Sequence, residues 1–319
     1  MILLHELGNV PDLSPPVIAT LGNFDGLHRG HKRILRKVIS RAREEGGTSV
    51  VVTFEPHPLK VLYPERAPAL IQTLTQKRDT LRHLGLQVLV EIPFTLEFGT
   101  QDAGSFTREV ARTLDPKEIY IGEDFRFGHR RAGDIALLES IGGELGFRAT
   151  AFKKLRAGGE EVSSSRIRTL LKEGSMAQAV RLLGRPYIIE GTVARGDMRG
   201  QTLGFPTANL AVENELIPAF GVYAAAVDLG SDPLIPAVAN LGVRPTFADG
   251  GAPGVLLELH LLGWSGDLYG RSVRGLFFHF LRPERKFASV EGLKEAICSD
   301  AAEARGILEG IPLQRRMYW

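Results

Sequence analysis

Residues 16–54 read "PVIATLGNFDGLHRGHKRILRKVISRAREEGGTSVVVTF", and the alternation inside this stretch decides the fold of the first half of the chain. Val17–Leu21 and Thr48–Phe54 are short runs of β-branched and other apolar residues that end at turn formers, the pattern of strands. Between them Ile34, Leu35, Val38 and Ala42 recur at helical spacing until Gly46 and Gly47 interrupt the pattern. Two parallel strands need a crossover, and a helix supplies it, so strand, helix, strand implies a parallel sheet. Ligands on such sheets bind beyond the carboxyl ends of the strands. The turn "GNFDGLHRGH" (22–31) sits at one of those ends.

The rhythm continues outward. "LQVLVEIPF" (86–94) and "PKEIYIGEDF" (116–125) read as further strands, with helical segments near 75–85 and 102–113, giving an α/β Rossmann-like domain with a parallel sheet. After residue 187 helices give way to strand-length runs between glycine and proline turns: "YIIEGTVARG" (187–196), "GVYAAAVDLG" (221–230), "IPAVANLGV" (235–243), "VLLELHLLG" (255–263) and "SVRGLFFHFLR" (272–282). Strands without intervening helices predict a small antiparallel barrel. A closing helix is expected near 289–308, with Ser289 as cap and Val290, Leu293, Ile297 and Ala301 on one face. The change of pattern at "LLGRPY" (182–187) divides the chain into domains 1–183 and 184–319. No internal repeat interrupts this scheme.

The 319 residues, 44% of them apolar, are enough for two hydrophobic cores. A net charge of +2 without blocks of like charge points to neither a nucleic-acid nor a membrane partner, and nothing in the sequence marks an oligomeric state. The lone Cys298 excludes an internal disulfide framework and a cysteine zinc cage. The opening "MILLHELGNVPDL" lacks a basic flank and a cleavage site, and no apolar run approaches the ~20 residues of a membrane helix. A soluble cytoplasmic protein is expected.

His28 and His31 lie one turn apart if the helix begins near Gly26 to His28, and so share a face. Free N–H groups and the positive dipole end at a helix start favour an anion, and Gly22, Gly26 and Gly30 let a phosphate approach the backbone. Capping and packing are the other use of two histidines in such a turn. Zinc fits less well, because it usually takes three or four protein ligands. Three more loops, "TFEPHP" (53–58), "GEDFRFGHRRAGD" (122–134) and "VSSSRIR" (162–168), fall where they could face the same crevice.

Together with "GNFDGLHRGH", these loops resemble, in kind and order, the nucleotidyltransferase domain of the bacterial riboflavin kinase/FAD synthetase family, over residues 17–170. The resemblance implies transfer of AMP from ATP to the phosphate of FMN, yielding FAD and pyrophosphate. It implies that His28 and His31 contact ATP phosphates within a cradle shaped by Gly22, Phe24 and Gly30. Asp124 is placed with the flavin nucleotide or adenosine, and Ser164 and Arg168 on phosphates, for which a guanidinium offers a bidentate fork. Glu55 and Ser165 stand where relatives often carry Asp and Thr, and Asp124 where some carry Asn.

In the second half, "GTVARGDMRGQTLGFPTANL" (191–210) has glycines spaced to cradle phosphates but no G-K-[ST], which excludes the common P-loop. Thr207 and Asn209, two apart on an extended segment, share a side: either a solvent-facing pair or oxygen donors completing a magnesium shell. Leu256, Glu258 and His260 alternate onto one strand face, which is either open to water or presents Glu258 as a general base near a hydroxyl. With "NLGVRPTF" (240–247), "DLYG" (267–270), "LRPERKF" (281–287) and "SDAAEAR" (299–305), these motifs resemble the riboflavin kinase domain over residues 184 to 309. That implies a six-stranded barrel that phosphorylates the terminal ribityl hydroxyl of riboflavin with ATP and Mg²⁺. By the same resemblance Thr207 and Asn209 hold Mg²⁺ and ATP, Glu258 is the catalytic base, and the turn containing Gly196, Gly200 and Gly204 wraps phosphates.

Overall fold

The computed structural model describes residues 1–8, 10–194, 205–243, 254–315 and 318. The chain divides into two compact units: Met1–Ala69 with Leu74–Val162, and Leu70–Thr73 with Ser163–Trp319.

The first unit is built on a six-stranded, wholly parallel sheet. Its strands are β1 (Ile2–Leu4), β2 (Val17–Leu21), β3 (Thr48–Glu55), β4 (Val88–Pro93), β5 (Pro116–Gly122) and β6 (Arg148–Phe152), in the order β1-β4-β3-β2-β5-β6. The chain therefore lays β3 and β4 on one side of β2 and then returns to lay β5 on the other. That reversal makes the carboxyl end of β2 a topological switch point, where a crevice opens in sheets of this kind.

Strand alternation sends side chains to both faces, and both are covered. Ile18, Val51 and Leu89 meet α1 (Arg29–Glu44) and α3 (Leu74–His83) through Ile34, Leu35, Val38, Ile39 and Leu81. Val17, Ala19, Leu21, Val50, Val52 and Val90 meet α4 (Ala103–Leu114) and α5 (Ile135–Leu145) through Phe106, Val110, Leu114, Leu138 and Ile141. Double burial explains why these strands are continuous apolar runs rather than alternating ones. The two edge strands escaped sequence reading: β1 has three residues, and β6 is half polar.

The first unit ends in a two-stranded ribbon, β7 (Arg156–Ala157) and β8 (Glu160–Glu161), and the second unit is a closed antiparallel barrel of β9 (Tyr187–Ala194), β10 (Ala208–Val212), β11 (Gly221–Asp228), β12 (Ile235–Val243), β13 (Val255–Leu261) and β14 (Ser272–Arg282), in the cyclic order β10-β13-β12-β11-β14-β9. The sixth strand, β10, is formed by the residues after "PT" in "GFPTANL". By packing, α6 (Ser164–Lys172) and α7 (Met176–Leu183) also belong here, because α7 lies on β14 and β9 and α6 lies on α7. The packing division thus precedes the 183/184 change of sequence pattern.

The C-terminal helix Val290–Glu309 starts where expected, with Ser289 capping the Gly292 N–H at 3.1 Å. Its buried stripe differs from the expected one. Ala296, Asp300, Ala304 and Leu308 are buried and the expected Leu293, Ile297 and Ala301 are half-buried, whereas Val290 is exposed. Small alanines let the helix lie close to Val222, Ala224 and Val238 on the barrel. The buried carboxylate of Asp300 is held by a fork from Arg282, with Nε to Oδ1 at 2.9 Å and Nη2 to Oδ2 at 2.7 Å. A helical face judged by hydrophobicity alone passes over such a pair. Arg282→Met leaves the Asp300 carboxylate buried and unpaired, and is expected to destabilise the barrel by about 3 kcal/mol, measured as a lowered denaturant midpoint.

Candidate active sites

The turn after β2 is shaped by strain and burial together. Gly22 continues the sheet ladder, its N–H donating to the Val52 carbonyl at 3.1 Å. The chain then passes through positive φ at Phe24 (48°), Gly26 (82°) and Leu27 (42°). For residues with side chains this conformation is strained. It is held because Phe24 and Leu27 are buried among Leu35, Ile39, Val51, Leu81 and Leu89. A β-carbon at Gly22 would stand 3.0 Å from the Phe24 ring, so this glycine makes room for the fold of the turn itself.

The helix begins at Arg29, one residue later than the latest expected start, and His28 is its N-cap. The His28 Nδ1 accepts the His31 N–H at 3.3 Å. In the neutral imidazole that places the proton on Nε2, leaving Nε2–H as a donor. The two rings stack at 3.6 Å with a 16° tilt, and Phe24 meets His31 edge-on at 5.3 Å. Gly30 is required by this arrangement, because a β-carbon there would stand 3.1 Å from the His28 ring. The capping and packing read from the sequence as the other use of these histidines are present, and the two rings share an orientation. His31 has a buried Nδ1 with no hydrogen-bond partner among the described residues. Burial, then the neighbouring His28 and Lys77, hold its pKa well below the ordinary histidine value.

Two further elements close on the turn. The Asn23 amide lies 3.4 Å from Nε2 of His57, whose Nδ1 caps the short helix α2 (Pro58–Leu62) by accepting from Leu59 N–H at 3.2 Å. "GNFDG" and "TFEPHP" are therefore one structure. Lys77 on α3 is buried, and its Nζ donates to the Asn23 carbonyl at 3.2 Å. Burial lowers its pKa against the opposing pull of Glu55, Asp25 and Glu91. Glu55, half-buried at the end of β3, is raised by desolvation. Sequence reading missed Lys77; the available signal was a charge on the same helical face as Leu74 and Leu81.

The other expected residues are placed separately. Asp124, beyond β5, is exposed and lies 3.5 Å from Lys154 Nζ, a lysine that also reaches Glu161 at 2.7 Å. At the start of α6 the cap is Ser163, which accepts from Arg166 N–H at 3.3 Å; Ser164 is the first helical residue, and Arg168 is one turn further on. Both belong to the second packing unit.

On the barrel, strand register assembles a polar row. Asn209 of β10 lies opposite Glu258 of β13, and Glu258 lies opposite Asn240 of β12. Directly paired residues project to the same side of a sheet. Asn240 Nδ2 donates to Glu258 Oε2 at 3.4 Å. Glu258 is half-buried rather than buried, and the intervening Leu257 and Leu259 fill the opposite face. Ahead of Thr207, the Pro206 carbonyl accepts from His260 Nδ1 at 3.0 Å, and Phe205 packs edge-on against the same ring at 5.6 Å. Glu284 lies against Gly242, where a β-carbon would overlap its carboxylate, and burial and Glu258 raise its pKa. Asn240 and Glu284 were not singled out from sequence, because only register and chain return bring them to Glu258. Gly196, Gly200 and Gly204 lie outside the described residues.

A family model for FAD synthetase matches residues 11–166, and one for riboflavin kinase matches residues 183–308. The chain belongs to the bifunctional riboflavin kinase/FMN adenylyltransferase family. Members from Escherichia coli K12 and Pseudomonas fluorescens are 38% and 39% identical, covering 95% and 96% of this chain and 95% and 98% of their own. The Bacillus subtilis member is 34% identical over 90% of this chain and 91% of its own. The crystal structure of a macrolide-efflux protein from Streptococcus pneumoniae has a TM-score of 0.84 at 27% identity, covering 95% of this chain and 98% of that one. Efflux describes that protein. Among the described residues here, no helix is long and apolar enough to cross a membrane. The FAD synthetase match spans the strained turn and strands β2 to β6, and the riboflavin kinase match spans the barrel row.

The lowered pKa of His31 has a thermodynamic consequence. The folded chain binds fewer protons at this site than the unfolded chain, whose histidine titrates near 6.5. The contribution is complete above about pH 6.5 and is lost as the pH falls toward the folded value. His31→Gln is expected to flatten this part of the pH–stability profile, measured by thermal unfolding between about pH 7.5 and pH 5.

Proposed function

We propose that this chain makes FMN from riboflavin and ATP on the barrel, residues 184–319, and adenylylates FMN to FAD with release of pyrophosphate on the parallel-sheet domain, residues 1–183. The observation that carries the reading is the stacked His28–His31 pair, which caps a helix at the switch point of the sheet in a chain whose relatives are curated for both activities.

In the adenylyl transfer an FMN phosphate oxygen attacks the α-phosphorus of ATP, a new P–O bond forms, and the bond to the leaving pyrophosphate breaks. No protein nucleophile is needed. The work left to the protein is alignment and stabilisation of charge on the phosphates. His28 Nε2–H and His31 are suited to donate to ATP phosphates, and a neutral His31 matches its depressed pKa. Gly22, Phe24 and Gly30 are assigned to the cradle around these phosphates, with Phe24 packed on the His31 ring, Ser164 and Arg168 are assigned to phosphates, and Asp124 to the flavin nucleotide or adenosine.

In the kinase step Glu258 takes the proton of the terminal ribityl hydroxyl as the hydroxyl oxygen attacks the γ-phosphorus of ATP, a new P–O bond forms, and the bond to the departing ADP breaks. Asn240, bonded to Oε2, orients that carboxylate. Thr207 and Asn209 offer hard, neutral oxygens, which fit Mg²⁺, an ion that takes few protein ligands and keeps water and phosphate in its shell. Bound there, Mg²⁺ would neutralise phosphate charge. Gly196, Gly200 and Gly204 are assigned to the ATP phosphates. A cytoplasmic location accords with the free, exposed Cys298.

Incubation with riboflavin, ATP and magnesium should yield FMN first and FAD after it, resolved by chromatography. His28→Ala should lower FAD formation by about 100-fold or more while FMN accumulates. Glu258→Gln should lower FMN formation by about 100-fold or more yet still convert supplied FMN to FAD. Loss of both reactions from either substitution in folded protein would refute the division of labour. Chelation of magnesium should stop both reactions, and added magnesium should restore them.

A further inference from the structure

Lys77 is 7% exposed and sits on α3 one turn before Leu81, which is fully buried. Taking an ammonium out of water costs several kcal/mol, and a methionine would fill the same stripe without that cost. Nothing about packing calls for the charge. Asp25, Glu55 and Glu91 act on it through space, but among the described residues none forms an ion pair with it, and its hydrogen-bond acceptor is the Asn23 carbonyl at 3.2 Å.

That carbonyl is an unusual anchor point. It belongs to the residue immediately before Phe24, where the positive-φ passage begins, and it also accepts from Thr53 Oγ1 on β3 at 3.4 Å. A charge-assisted bond from α3 and a hydroxyl bond from β3 thus converge on one oxygen at the base of the turn. The turn ends in His28, so whatever fixes Asn23 fixes the origin of the stacked imidazoles. Lys77 and His31, whose buried Nδ1 has no partner among the described residues, also feel one another's charge. The ammonium, which has donor capacity left over, thus stands at the floor of this turn within electrostatic reach of the His31 ring and of the carboxylates of Asp25, Glu55 and Glu91.

We propose that Lys77 is a positioning residue for adenylyl transfer: by holding the Asn23 carbonyl, its buried ammonium fixes the strained turn that aligns His28 and His31 against the ATP phosphates. This rests on the adenylyltransferase reading of the same site. Because the residue acts through the turn, its loss falls on kcat for FAD formation more than on the KM for ATP.

The test is Lys77→Met in the full chain, which keeps an unbranched apolar stem of similar length and removes the ammonium. The thermal midpoint should equal or exceed that of the wild type, and FMN formation from riboflavin should stay within about twofold. The kcat for FAD formation from supplied FMN should fall by at least about tenfold, as misaligned reacting groups require, with part of the loss recovered in Lys77→Arg. Preserved stability and kinase activity alongside lost adenylyl transfer is an outcome that a merely structural lysine does not give. FAD formation within about twofold of wild type would overturn the proposal. A lowered midpoint with both activities reduced would overturn it as well, because Lys77 would then be a fold residue. Wild-type protein that forms no FAD would remove the adenylyltransferase reading itself, an outcome seen before any variant is made.

Discussion

The first half of the molecule depends on a turn that is unfavourable by itself. Two large side chains, Phe24 and Leu27, hold positive φ, each at a cost of about 1–3 kcal/mol. Their burial at 3% and 0% exposure recovers a comparable amount, about 1.5–3 kcal/mol for each side chain. The strain exists only because the sheet and its helices are already in place around it. In return the chain leaves the end of β2 and enters α1 within a few residues, with two imidazoles stacked across the start of the helix.

The consequences spread from that turn. Gly22 gives way to the Phe24 ring and Gly30 to the His28 ring, so both glycines serve the positions of side chains before any ligand approaches. Asn23 ties the turn to His57 through its side chain and to Lys77 and Thr53 through its carbonyl. The switch-point topology supplies the crevice, the strained turn supplies the donors, and the buried lysine supplies a bond to the base of that turn.

The barrel solves a different problem by different means. A closed antiparallel sheet has no unpaired edge, and its register places Asn209, Glu258 and Asn240 side by side on three neighbouring strands. Glu258 is half-buried on the face opposite Leu257 and Leu259, which lets it remain accessible without breaking the apolar interior. Glu284 reaches the same neighbourhood from beyond β14, over a glycine that leaves room for it.

The α/β and barrel architectures were legible in the sequence because side-chain periodicity is local: doubly buried strands read as apolar runs, and α1 reads as a 3.6-residue stripe. Chain order likewise revealed the motifs that carry the family. The helix start at Arg29 was off by a residue or so, since helix ends are set by single hydrogen bonds rather than by a pattern. The stripe of the last helix was misjudged at Val290 because Asp300 reads as solvent-facing until Arg282 is brought to it from β14. By itself, then, the sequence determined which residue types stand at which turns and strand ends, and with them the family. Only the tertiary structure decided that Lys77 meets Asn23, that Asn240 meets Glu258, and that His28 both caps a helix and stacks on its neighbour. Those contacts join residues distant in sequence or hinge on one backbone angle, and neither leaves a periodic trace along the chain.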